Sequence, residues 1–192
     1  MLGRYSIGTA TGLIVATGAA GAVIWTCRWT SPTLKALIKR IRVNAVVTGT
    51  ITAAVPYDLE AYFVNGYTVA PTTGISTATL TGRNGGRRGG IDTTSMSGIF
   101  TLTTVAAGIT GHTFVADAQP LARIAGATGT VIGTQFFGGA VTLIDDDETD
   151  SNPVVLGENE GISIQAPLAG PATGTFRVSV NLDWAEVSGG SL

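Results

Sequence analysis

Residues 176–186, FRVSVNLDWAE, decide the fold. Phe176, Val178, Val180, Leu182 and Trp184 fall on one side of an extended chain, and Arg177, Ser179, Asn181 and Asp183 on the other. That period of two is the signature of a strand with one buried face. Each apolar tooth is worth roughly 1.5 to 3 kcal/mol when buried, as an upper estimate, so this strand alone supplies a large share of a marginal domain stability. It specifies a sandwich core and carries no chemistry of its own.

Working outward, Ala22 to Trp29 reads as a strand with Val23, Trp25, Cys27 and Trp29 on one face, ended by Ser31-Pro32. Leu37 to Thr52 reads as a long strand with Leu37, Ile41, Val43, Ala45 and Val47 inward and Arg40, Arg42 and Asn44 outward. A helix from Thr33 to Arg42 competes, but the β-branched run through Ile51 favours the strand. Asp58 to Val64 alternates again, and its Asp58 and Glu60 are expected opposite Arg40 and Arg42. Asn65-Gly66 and Asn84-Gly85 are turn dipeptides. Further strands are expected at Thr77 to Leu80, Gly98 to Val105, Thr113 to Asp117, Thr130 to Ile144, Val154 to Leu156 and Gly161 to Gln165. Eight to ten strands separated by Gly, Pro, Asn and Asp clusters predict an all-β, antiparallel β-sandwich of jelly-roll type. Residues 1–21, rich in Gly, Ala and Thr, read as an extended N-terminal arm, and residues 22–192 as a single sandwich domain.

Composition points the same way. Of 192 residues only 12% are charged while 44% are apolar, against about 25% charged in a typical soluble domain. A surface so poor in charge is expected to be covered by neighbouring protein chains. The net charge of −2 is unevenly spread. Residues 1–96 carry nine basic and three acidic side chains; residues 97–192 carry two basic and ten acidic. The two sets can pair within the fold or between subunits, or stand apart in water. One cysteine rules out an internal disulfide framework, and there is no Asn-X-Ser/Thr sequon. The uncharged stretch between Arg4 and Arg28 is too broken by Gly and Thr to read as a membrane span or a signal peptide.

No catalytic motif is present. Residues 82–90, GRNGGRRGG, place Arg83, Arg87 and Arg88 in a backbone-free loop, yet lack the Lys-Ser/Thr of a P-loop and the GxGxxG spacing. The readings are a mobile hairpin loop, a contact with an acidic neighbouring protein, or a nucleic-acid contact. Residues 145–150, DDDETD, fail the EF-hand pattern, with Asp150 where glycine is needed and Leu156 where the bidentate Glu belongs. Asp145, Asp146 and Asp147 therefore read as a solvated acidic loop, with a subunit contact or a metal site of another pattern as the alternatives. His112 has no nucleophile elbow to serve, and Cys27 lies on the face of Trp25 and Trp29 as a buried thiol. Neither a metal nor a cofactor is called for, and an enzyme is not expected.

Residues 152–156 (NPVVL), 158–164 (ENEGISI) and 172–187 (ATGTFRVSVNLDWAEV) resemble a group of tailed-bacteriophage virion structural proteins. Residues 18–29 (GAAGAVIWTCRW), 37–43 (LIKRIRV), and Phe63 with Gly66-Tyr67-Thr68 are similar to the same group. The resemblance implies a capsid decoration or cement protein on the outer surface of the virion. Its implied partners are the major capsid protein and further copies of itself, a trimer being the common arrangement for that role, with neither nucleic acid nor membrane. The contact candidates are Arg4, Tyr5, Leu13 and Ile14 of the arm, Arg83, Arg87 and Arg88 of the basic loop, and Asp145, Asp146 and Asp147 of the acidic loop. A jelly-roll coat, a head-fibre base, a tail component and a carbohydrate-binding sandwich with Tyr57, Tyr62 and Tyr67 as stacking platforms are the alternatives.

Overall fold

A computed structural model of the chain describes residues 3–15, 18–80, 89–90, 94–103, 106–146 and 153–189. Among these, all regular structure is β. The strands are β1 (Gly3–Ala10), β2 (Ile14–Val15), β3 (Ala22–Trp29), β4 (Leu34–Gly49), β5 (Leu59–Val69), β6 (Ile75–Thr77) and β7 (Gly89–Gly90). They continue as β8 (Met96–Leu102), β9 (Thr113–Ala116), β10 (Ala122–Ile124), β11 (Val141–Asp145), β12 (Val154–Leu156), β13 (Glu160–Ala166) and β14 (Thr175–Ser188). One sheet runs β11-β4-β14-β1-β7, with β12 also on β4 and β2 on β14. The other runs β10-β5-β13-β3-β8-β6, with β9 also on β5.

The order is that of a jelly roll. β1 pairs β14, β3 pairs β13, β4 pairs β11 and β12, and β5 pairs β9 and β10, all antiparallel. The chain is thus one long hairpin, wound so that β1, β4, β11 and β14 lie in one sheet and β3, β5, β10 and β13 in the other. β6 and β8 widen the second sheet beyond β3.

β14 is the central strand of its sheet, and Phe176, Val178, Val180, Leu182 and Trp184 are all buried on its inner side. The same face continues to Glu186, which is fully buried; one of its carboxylate oxygens accepts from Thr94 Oγ1 (2.5 Å) and from Ser95 N (2.8 Å). Trp25 and Trp29 come from β3 opposite. Trp25 Nε1 donates across the sandwich to Thr9 Oγ1 (3.1 Å), and Trp29 Nε1 donates to Leu34 O (2.9 Å), so both indoles are buried with their polar atoms satisfied. Gly161 is required by close approach: a Cβ there would collide with the carbonyl oxygen of Cys27 on the paired strand.

Four features depart from the sequence reading. The extended N-terminal segment is laid on its own sheet: Gly3 to Ala10 pair with Glu186 to Ser179, and Tyr5 stacks on Trp184 at 5.2 Å between ring centroids. Beyond it, Thr11 N donates to Val178 O (2.9 Å) while Val178 N donates to Thr11 Oγ1 (3.0 Å), the side chain standing in for the backbone where the strand turns away. Second, β4 has an irregularity at Lys39, since Arg40 pairs Asp183 while Ile38 pairs Trp184; this puts Ile38 in the core in place of the expected Leu37. Third, Asn65-Gly66 is no turn but lies inside β5, where Gly66 takes φ 62° beside a register shift against β9. Fourth, of the strand expected at Thr130 to Ile144 only β11 forms. Asn84-Gly85 lies outside the described residues.

Because Tyr5 is core and Arg4 is exposed, Tyr5→Ala is expected to lower unfolding free energy by about 3 kcal/mol, and Arg4→Ala by less than about 0.5 kcal/mol. Urea unfolding checks this; equal, small effects would show that the N-terminal segment is not part of the cooperative fold.

Candidate functional site

The jelly-roll winding sends four connections to one end of the sandwich. They join β1 to β3, β4 to β5, β10 to β11 and β13 to β14. Backbone bonds tie them together: Gly170 N to Gly18 O (2.9 Å), Tyr57 N to Gly126 O (2.9 Å), Thr128 N to Val55 O (2.9 Å) and Gly133 N to Val47 O (2.9 Å). Thr52 N donates to Thr173 Oγ1 (2.9 Å). The β8–β9 connection reaches the same end through Ala19 N to Ala106 O (2.9 Å). Gly174, with φ 83°, makes the turn into β14; a Cβ there would strike Thr50 O. Beneath the loops Tyr57, Phe136 and Phe176 pack within 4.9 to 5.6 Å of one another.

This end carries no Asp, Glu, Lys, Arg or His in the sequence segments 11–21, 50–57, 125–140 and 167–174. Asp58, at its margin, is buried and paired with Arg123. What the loops expose instead is aliphatic: Leu13, Val15 and Leu168, and at the tip of the β10–β11 loop Val131 and Ile132, which are 66% and 61% exposed. Thr134 N to Val131 O (3.1 Å) closes the turn that holds these last two out. Loops normally carry a protein's polar groups, so this is the unusual surface of the molecule.

Among the described residues, several charges away from this end pair with one another. Arg123 Nη2 bonds Asp58 Oδ2, its Nη1 lies 3.5 Å from Glu60 Oε1, and Tyr62 donates its hydroxyl to Glu60 Oε2 (2.5 Å). The expected partnership of Asp58 and Glu60 with Arg40 and Arg42 is corrected: β4 and β5 are in different sheets. Arg40 instead bonds Asp145 (2.9 Å), and the largely buried Lys39 bonds Asp146 (2.9 Å), with Asp146 N donating to Lys39 O (2.8 Å). Asp145 and Asp146 therefore have intramolecular roles.

Of the other expected contact residues, Tyr5 and Ile14 are buried and unavailable, while Arg4 and Leu13 are exposed. Gly3 and Arg4 pair Gly90 and Gly89, so Arg4 adjoins the strand that follows the basic loop in sequence. Arg83, Arg87, Arg88 and Asp147 lie outside the described residues. The loop-end valine and isoleucine of the β10–β11 connection were missed in the sequence, although the run from Ala125 to Ala140 without a single charge was there to be read.

Among the described residues no group of three or more His, Cys, Asp or Glu is placed to hold a metal, and no helix is long and apolar enough to cross a membrane. A groove of about 410 Å³ runs between Ser6–Ala10 and Ser76–Thr79, over Thr101, and none of these lining residues is ionisable. Burial pushes the Cys27 thiol up to about 12, which removes its nucleophilic form at neutral pH. Tyr57 and Tyr67 are buried, leaving only Tyr62 of the three expected sugar platforms near the surface. His112 stacks on Phe114 at 3.8 Å, and Tyr67 meets the edge of the same cluster at 4.9 Å from Phe114.

Comparison with family models, with curated proteins and with solved structures returns no match to this chain.

Burial lowers the His112 pKa below its ordinary value, the Ile109 backbone opposing this in part. The unfolded chain then binds the extra proton more readily, so this contribution to stability is complete above the ordinary histidine value near 6.5 and declines as the pH falls below it. Thermal melts of wild type and His112→Gln between pH 7.5 and 5 are expected to diverge, with the wild type losing more on acidification. Parallel pH profiles would show that the imidazole titrates alike in both states.

Proposed function

We propose that this chain is a structural protein of a bacteriophage virion, a decoration or cement protein held on the outer surface of the capsid shell, acting by contact and not by catalysis. The observation that carries the contact reading is the charge-free loop end with its exposed Leu13, Val15, Val131, Ile132 and Leu168. An aliphatic surface without charges gains by leaving water, and many weak contacts repeated over a particle sum to firm attachment. The resemblance of residues 152–164 and 172–187 to phage virion proteins supplies the particle, and the major capsid protein is the proposed partner. The exposed Arg4, adjoining the strand after the basic loop, is a second contact candidate.

A jelly-roll coat subunit is the second reading, favoured by the complete jelly-roll strand order. Imaging and quantifying the chain on intact particles separates the two. Surface density over a shell built from another protein supports decoration; a copy number equal to the shell's own with no other coat present supports the coat. Absence from particles rejects both. In the decoration case, replacing Val131 and Ile132 together by Asp is expected to cut particle-bound chain by at least about tenfold at fixed concentration.

A further inference from the structure

We infer that the groove between β1 and β6 is a strand-acceptor site: it takes an extended segment of another polypeptide, with small uncharged side chains, as an added strand on β1. The inference uses neither the loop end nor the particle.

The backbone sets the recognition. Thr11 N bonds Val178 O (2.9 Å), and Thr9 pairs Val180. Hydrogen-bonded pairs in an antiparallel ladder fall at every second residue, so Tyr5, Ile7 and Thr9 turn their amides and carbonyls to β14, while Gly8 and Ala10 turn theirs the other way. Among the described residues β7 meets that side only at Gly3 and Arg4. Gly8 and Ala10 are exposed, and no described strand pairs them there. The facing wall repeats the pattern. Thr103 N donates to Gly74 O and Ala78 N to Ile99 O (both 2.9 Å), so Ile75 and Thr77 of β6, and Thr79 after it, present their backbone away from β8. Two open strand edges therefore line one groove of about 410 Å³.

Alternating donors and acceptors along an edge are matched by an extended backbone in register. Proteins keep edges from pairing with charges, irregular register, proline or shortness. The other described edges use these means. β10 carries Arg123, paired with Asp58 and Glu60; β11 has a register shift and the Arg40–Asp145 pair; β9 has a register shift against β5; β12 follows Pro153. β2 and β7 are two residues each. Residues 5–11 (YSIGTAT) and 75–79 (ISTAT) contain neither charge nor proline.

The groove also selects its occupant. Its lining of Ser, Thr, Ala and Gly with Ile7 holds no charge, so a charged side chain entering it would lose water without gaining a partner. Antiparallel entry continues the ladder that β7 begins on β1. A lone segment has two bonding sides and is able to meet both walls, whereas a strand already held in a second copy's sheet has one. No aromatic side chain lines the groove, so a saccharide finds no stacking platform.

The probes are three seven-residue peptides in which threonine alternates with valine, alanine or glycine, flanked by lysines for solubility. Each is titrated into the purified chain while amide hydrogen exchange is followed by NMR. In the free chain the Gly8 and Ala10 amides are expected to exchange at least about a hundredfold faster than those of Ile7 and Thr9, and at least one peptide is expected to slow them at least about tenfold. Ala10→Pro removes an outward amide without touching the β14 ladder, and is expected to weaken binding at least about tenfold. The same peptide N-methylated at every residue is expected not to bind, and it decides the matter if Ala10→Pro lowers the urea midpoint. Slow exchange at Gly8 and Ala10 in the free chain would show the edge already covered and overturn the inference. So would failure of all three peptides to bind up to millimolar concentration, or binding that survives N-methylation. Dimers of the chain that protect the same two amides, or maltohexaose that protects them where the peptides do not, assign the edge to those occupants and also overturn it. None of these results bears on the virion reading, and absence of the chain from particles leaves the acceptor site standing.

Discussion

The pairing of β14 between β1 and β4 is the interaction on which the rest of the structure depends. It joins the first described residues to the last, Gly3 opposite Glu186, and from there each inner pair of the long hairpin follows in register. Closing so long a chain costs entropy that grows only with the logarithm of the loop. The buried teeth of β14, with Tyr5 stacked on Trp184, offset that cost locally. Because almost every pairing is between strands far apart in sequence, this topology belongs among the slow folders. Thr11 matters here beyond its size: its hydroxyl and amide both bond Val178, ending β1 before the chain bonds β8 through Gly12 N to Leu102 O and returns to β14 as β2.

Register on β14 also determines which chemistry the surface can offer. Inward positions are spent on the core, and outward ones lie in rows: Ser6, Asp183, Arg40 and Asp145 follow one another across β1, β14, β4 and β11. Such a row satisfies its charges within one subunit. The acidic and basic halves of the sequence are thus largely a consequence of the winding, since β4 is basic and its neighbour β11 ends in aspartates. Lys39 shows the point in detail. The irregularity that places it also brings its ammonium to Asp146, and its carbonyl to the Asp146 amide.

Much of the fold was legible. The teeth of β14, the bounds of β3 and β12, and the sandwich itself follow from alternation and turn residues. β1 was legible too in retrospect: Tyr5, Ile7 and Thr9 alternate with Arg4, Ser6 and Gly8, but the surrounding glycines and alanines masked the period. The inward switch from Leu37 to Ile38 was not legible, because Leu37 and Ile38 are adjacent aliphatics and either can fill the inward position. Nor were the ion pairs, which depend on which sheet each strand joins. Asp58 and Glu60 point to Arg123 for that reason alone. At the loop end the separate uncharged segments were visible one by one, but their convergence is a property of topology.

That convergence turns four bland loops into the most distinctive surface of the chain. A loop of Gly, Ala and Thr is unremarkable singly, since its backbone amides meet water and its small side chains ask for little. Four such loops bonded to one another use those amides internally, as Tyr57, Thr128, Gly133 and Gly170 do. What remains facing outward includes Leu13, Val15, Val131, Ile132 and Leu168 beside exposed threonines and alanines. Solvent gains nothing from that exchange, and the fold does not need it, because the aromatic cluster of Tyr57, Phe136 and Phe176 already closes the core below. The exposed aliphatic tips therefore add little to the stability of one copy, and under the proposed reading they are the groups that leave water on contact with another protein.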